Sequence, residues 1–90
     1  MSQLYIHDDQ GLFSQVSTDM YQSVGHAAAA LIQELINWFK GNSVYSEEIT
    51  ALEIQELSQL KRKYENGKLD PMVDGSYWLD TQGFLGTFSY

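Results

Sequence analysis

The sequence predicts an α+β domain in the order β-hairpin, helix, helix, β-hairpin, with the two helices packed on a small antiparallel sheet. Three observations lead there. The two ends of the chain echo one another in a hairpin pattern, the stretch between them carries apolar residues at three- and four-residue spacing, and Gly41-Asn42 and Asn66-Gly67 mark two helix ends. Ninety residues, 43% of them apolar, make one folded domain spanning residues 1–90. A chain of this length buries only about 60–65% of the surface its unfolded form exposes, so a thin core is expected.

The first hairpin is expected over residues 1–17 and its counterpart over 76–90. Tyr5 to Ser17 aligns without gaps on Tyr77 to Ser89; Tyr5, Asp8, Gln10, Gly11 and Ser17 recur as Tyr77, Asp80, Gln82, Gly83 and Ser89. In each copy two short apolar runs flank an Asp-x-Gln-Gly turn, where Asp hydrogen-bonds the turn backbone and Gly takes the positive φ of a hairpin connection. Both ends therefore read as hairpins of one design. Terminal aromatics, Phe88 and Tyr90 among them, lead us to expect a docked last strand.

The first helix is expected over 18–41. Ser17-Thr18-Asp19 offers N-cap oxygens, and Met20, Val24, Ala28, Leu31, Leu35 and Trp38 form a stripe that Tyr21, Ile32 and Phe39 widen. Its middle, Gly25-His26-Ala27-Ala28-Ala29-Ala30, has almost no bulk. The expectation is that another part of the same chain fills that groove, with a second copy as the competing filler. The second helix is expected over 46–66, capped by Ser46, with Glu47 and Glu48 in its first turn and Lys61-Arg62-Lys63 in its last, as the helix dipole favours. Ile49, Leu52, Leu57, Leu60 and Tyr64 are its expected buried face; Glu53, Glu56 and Gln59 its solvated one. Asp70-Pro71 and Asp74-Gly75 make 67–75 a loop.

Composition then narrows the chemistry. The absence of cysteine removes a disulfide framework, a thiolate zinc site and a cysteine nucleophile together. Met1-Ser2-Gln3-Leu4 shows no basic stretch leading into an apolar run, and Ala27–Ile36 is too short and too interrupted to span a bilayer, so a cytoplasmic location is expected. Twelve acids against five bases leave a net charge of −7. That excess repels phosphate backbones and anionic membrane surfaces and attracts a basic partner, although it also serves solubility alone.

No catalytic motif stands out. His7, Asp8 and Asp9 lack metal-ligand spacing, and His26 is the only other histidine. Turn and helix roles account for all four. Lys61-Arg62-Lys63 point in different directions around a helix and suit its dipole better than a phosphate. Nothing resembles a phosphate-binding glycine loop or a nucleophile elbow. The expectation is a non-enzyme without cofactor or metal. The aromatic residues outnumber what so small a core hides, and Tyr77 and Leu79 alternate with Trp78, which makes both faces of that strand apolar.

These features suggest a small acidic protein-binding module: an inhibitor or adaptor occupying a basic surface on another protein. Immunity proteins and the inhibitors made by phages or mobile elements are the general type. The expected contact residues are Asp8, Asp9, Asp74 and Asp80 at hairpin and loop tips, Glu53 and Glu56 on the second helix, and Trp78. The alternatives are a self-assembling structural protein that forms at least a homodimer through the small-residue stretch or a hairpin edge, and, further off, a small-molecule or metal sensor using His7 or His26.

Overall fold

The computed structural model describes residues 3–8, 11–41, 47–71, 79–81 and 84–89. Strand β1 (Gln3–Asp8) and strand β2 (Gly11–Ser17) form the first hairpin. A single 3-10 turn (Thr18–Met20) leads to helix α1 (Val24–Gly41), then helix α2 (Glu47–Glu65). Strands β3 (Leu79–Thr81) and β4 (Phe84–Ser89) form the second hairpin. The hairpins join through β1 and β4 into one antiparallel sheet of order β2-β1-β4-β3. The fold is thus the expected α+β arrangement, and the chain's last strand lies inside the sheet. Among the described residues no helix is long and apolar enough to cross a membrane.

The core lies on one face of the sheet. Leu4 and Ile6 of β1 and Phe88 of β4 meet Ala28, Leu31, Ile32, Leu35 and Phe39 of α1. Tyr5 and His7 point to the opposite face, as strand alternation requires. Both are only half-buried. Each fully buried Leu or Ile contributes roughly 1.5–3 kcal/mol. The central strand and the central helix therefore carry most of the apolar stabilisation.

Helix α1 is apolar on two sides because it lies between the sheet and α2. The small-residue stretch is filled from within the chain: Ala27, Ala28 and Ala29 are buried, and Gly25 sits directly against the Tyr64 carbonyl at the end of α2. A Cβ at position 25 would lie far inside contact distance of that carbonyl oxygen. Tyr64 also meets Phe88 edge-on, with ring centroids 5.4 Å apart, so α2 touches the sheet as well as α1. Farther along, Lys61 Nζ donates to Gln33 Oε1 at 2.8 Å, a second tie between the helices.

The helix ends differ in part from expectation. α1 begins at Val24 rather than residue 18, because Ser23 caps it: the His26 amide donates to Ser23 Oγ at 3.1 Å, and the Ala27 amide to the Ser23 carbonyl at 3.1 Å. Ser17 makes no side-chain cap bond; Ser17-Thr18-Asp19 opens only the 3-10 turn, after which Tyr21 is extended. Met20 therefore falls outside α1 and is 79% exposed. α2 ends as expected at Asn66-Gly67. Gly67 has φ +80, and the Lys68 and Gly67 amides donate to the Lys63 and Tyr64 carbonyls at 2.9 and 3.4 Å, the paired bonds of a Schellman cap. Asn42 and Ser46 lie outside the described residues.

The two hairpins share a sequence pattern but not a register. In the second, Leu79 pairs with Gly86 and Thr81 with Phe84. Copied onto the first hairpin, that register would pair His7 with Ser14. Instead Ser14 pairs with Ile6 and His7 with Leu12, a β-bulge at Phe13 separating the two pairs. The single design expected for both hairpins is therefore not realised: beside the turn the first hairpin is shifted by two positions relative to the second, and the bulge reduces the shift to one beyond it.

Gly25→Ala is expected to lower stability by about 1–3 kcal/mol, although alanine favours helix by up to about 1 kcal/mol, because overpacking against backbone outweighs propensity. Urea unfolding monitored by circular dichroism measures it. In the same assay Ser23→Ala should cost about 1 kcal/mol and Ser17→Ala clearly less.

Candidate functional site

Of the residues expected to bind a partner, Asp8, Asp80, Glu53 and Glu56 are described, and they separate into two groups. Asp8 closes β1 opposite Gly11, and Asp80 is the middle residue of β3 opposite Leu85. β1 and β4 pair through Tyr5–Ser89, Ile6–Phe88 and His7–Thr87; one further step sets Asp8 opposite Gly86, whose β3 partner is Leu79. Asp8 and Asp80 thus occupy the same end of the sheet, two strand spacings or about 10 Å apart. Asp9, Asp74 and Trp78 lie outside the described residues.

Glu53 and Glu56 form the remaining group, and here the expectation fails for one of them. Glu56 is exposed, but Glu53 is 1% exposed and belongs to the inner face of α2 with Leu57 and Tyr64. Leu52, expected inside, is 55% exposed. The reason is helical phase. At about 100° per residue, Glu53 lies about 20° from the direction of Tyr64 and Leu52 about 120° from it. Tyr64 sets the face, being tied to both Gly25 and Phe88, and the carboxyl follows it inward. A pattern weighted by apolarity alone selects Leu52 instead.

The histidines are far apart in role. His7 lies beside Tyr5, with ring centroids 6.4 Å apart, whereas His26 Nδ1 is 2.7 Å from Ser23 Oγ and its Nε2 3.0 Å from Gln22 Nε2. Among the described residues no three His, Asp or Glu side chains gather in a metal-binding arrangement.

Charge is unevenly placed. Residues 40–68 contain five acids and all five bases and are neutral as a set. Residues 1–39 contain four acids and residues 69–90 three, with no lysine or arginine in either stretch. The whole net charge of −7 therefore resides outside 40–68, and no strand of the sheet contains a cationic Lys or Arg. The fold sharpens the asymmetry. Because α2 runs back along α1 to place Tyr64 at Gly25, Arg62, Lys63 and Lys68 sit at the start of α1, while the Lys61 ammonium reaches Gln33 in the middle of α1. Asp8, Asp80, Glu34, Glu47 and Glu48 belong to the other half of the molecule, which α1 leaves at Gly41 with Lys40 as the basic residue of its last turn.

Two open concavities flank α1. One, of about 500 Å³, lies beside the Gly25–Tyr64 contact and is lined by Ser23, Asn66, Leu69 and Pro71 among others. The other, of about 470 Å³, lies in the acidic half between β2 and α1 and is lined by Phe13, Ser14, Glu34, Asn37 and Trp38. The bulge brings Phe13 to this groove, and the Ser14 hydroxyl donates to Glu34 Oε2 across it. Trp38, expected on the buried stripe, is partly exposed here and packs edge-on against Phe39 at 5.0 Å. Sequence reasoning missed this groove, since the bulge that forms it leaves no mark in the alternation of Leu12 to Val16.

No protein-family model, curated protein or solved structure matches the chain. The class is defined by its architecture: two hairpins joined in one sheet, two helices on one face, and an acidic half opposed to a mixed one.

Glu53→Lys is expected to cost about 2–4 kcal/mol, since it buries a longer cation, whereas Glu56→Lys should change stability by less than about 1 kcal/mol. The two urea midpoints, compared with the unsubstituted chain, check the assignment of inner and outer face.

Proposed function

We propose that this protein is a small acidic protein-binding module, an inhibitor or adaptor that occupies a basic surface of a target protein. The observation that carries this reading is the placement of charge: the entire excess of −7 lies outside residues 40–68, on segments without a single lysine or arginine. Such a field raises the encounter rate with a cationic partner and disfavours phosphate-bearing ones. The contact is assigned to the Asp8–Asp80 end of the sheet rather than to α2, because Glu53 is buried and Glu56 stands in the neutral stretch.

The competing reading, a self-assembling protein, rests on the hairpin edge alone. In the small-residue stretch of α1, Gly25 is covered by the end of α2 and Ala27, Ala28 and Ala29 are buried, so these residues are not available to a second copy.

Capture from nuclease-treated native lysate on the immobilised chain, eluted by a salt gradient, tests the proposal. The expected result is one dominant basic protein released at moderate salt, because charge steering is screened within about 8–10 Å at physiological ionic strength. Asp8→Lys with Asp80→Lys should release the same protein at lower salt. Recovery of the chain's own untagged copies, with no basic protein, would replace this reading with self-assembly.

A further inference from the structure

We infer that the free edge of β2 accepts an extended segment of a basic partner protein as an added strand, with one arginine or lysine side chain of that segment seated in the Phe13–Trp38–Glu34 groove. This rests on the acidic-module reading and adds to the Asp8–Asp80 end a second contact, on the β2 side of the sheet.

The strand comes first. β2 is the outermost strand on its side of the sheet, and its seven residues, Gly11 to Ser17, contain no charge and no proline. Edge strands ordinarily carry lysine, proline or a bulge to discourage further pairing. Here the one such device among the described residues is the bulge at Phe13, which leaves Ser14 to Ser17 in regular register. Backbone donors and acceptors of an edge strand pair readily with an incoming extended chain, and side-chain pockets beside the edge then select the sequence.

The groove beside this edge supplies the selection. Its lining combines two aromatic rings, Phe13 and Trp38, with the carboxylate of Glu34, which is exposed and held by Ser14. A guanidinium or ammonium group gains a carboxylate partner and a ring face together in such a setting. Residues 1–39, Glu34 among them, contain no lysine or arginine, and the nearby Lys61 ammonium is bonded to Gln33. The same charge argues against a second copy as occupant. Two chains of net charge −7, each with no lysine or arginine among residues 1–39, repel one another as whole molecules on approach.

The test uses the full chain and, as probe, a short capped peptide alternating arginine with valine, followed by amide chemical shifts. Two control peptides accompany it: a glutamate–valine analogue, and the arginine–valine peptide N-methylated at every residue, which has no backbone N–H on either edge and cannot add as a strand. Expected are shifts confined to the Phe13–Ser17 amides and the Trp38 indole, with no binding of either control. Glu34→Gln, which retains an acceptor for Ser14, should weaken binding about tenfold or more, as loss of a charge-assisted bond does. Gln15→Lys, an exposed change on the edge strand, should weaken it as well.

Undiminished binding of the N-methylated peptide would overturn strand addition. Shifts at Tyr5 and His7, or along α2, would overturn the edge as the site while leaving the basic-partner reading intact. Failure of the arginine–valine peptide to bind would overturn the inference outright. Concentration-dependent shifts of the Phe13–Ser17 amides without peptide, together with a dimeric mass by sedimentation, would assign the edge to a second copy instead. The salt-eluted capture judges the basic partner separately, so failure of the edge and failure of the function give different results.

Discussion

The contact of the Gly25 backbone with the Tyr64 carbonyl sets the relation between the two helices, and the remaining packing is arranged around it. Without a side chain at position 25, the last turn of α2 lies against the first turn of α1. That approach directs the Tyr64 ring to Phe88 and so binds α2 to the sheet as well as to its neighbour. It also decides the rotation of α2 about its own axis. With Tyr64 inward, Leu57 and Glu53 follow on the same line and Leu52 is turned to solvent. A thin core of this kind has few such anchors, and one glycine is accordingly worth more here than in a larger domain.

The antiparallel return of α2 also distributes charge. Helix dipoles favour acids at the start of a helix and bases at its end, and α2 follows that preference with Glu47 and Glu48 at one end and Arg62 and Lys63 at the other. Locally this is ordinary helix chemistry. In the folded chain it has a larger result, because the basic end is carried to the start of α1, away from the sheet end that holds Asp8 and Asp80. A uniform negative surface would serve solubility; a segregated one provides direction. The groove beside Trp38 lies on the side where the excess is found, and the edge of β2 runs from it toward the start of α1.

Much of the architecture was legible in the residues. The two helices and the Asn66-Gly67 stop follow from periodicity and capping chemistry, and the docking of β4 from its aromatic residues, which are local properties; the tips of the two hairpins, residues 9–10 and 82–83, lie outside the described residues. Misreadings occurred where two local signals competed. Ser17-Thr18-Asp19 and Ser23 are both acceptable caps, and α1 takes Ser23 while Ser17 opens only the 3-10 turn. Trp38 lies on the apolar stripe by spacing, yet its size places it at the margin of the core, half in the groove. The repeated Asp-x-Gln-Gly pattern similarly allows more than one strand register.

By itself the sequence determined the fold class, the net charge and the segments that carry it, since composition and short-range spacing are properties of the chain and not of its packing. It also supplied the small-residue stretch that a close neighbour would have to fill. Tertiary structure alone decided which neighbour filled it, which face of α2 turned inward, and how each hairpin was registered. Those choices depend on contacts between residues far apart in the chain: Gly25 with Tyr64, Tyr64 with Phe88, Ser14 with Glu34. Periodicity along one helix or strand specifies that an apolar face exists; only the partner packed against that face fixes its direction.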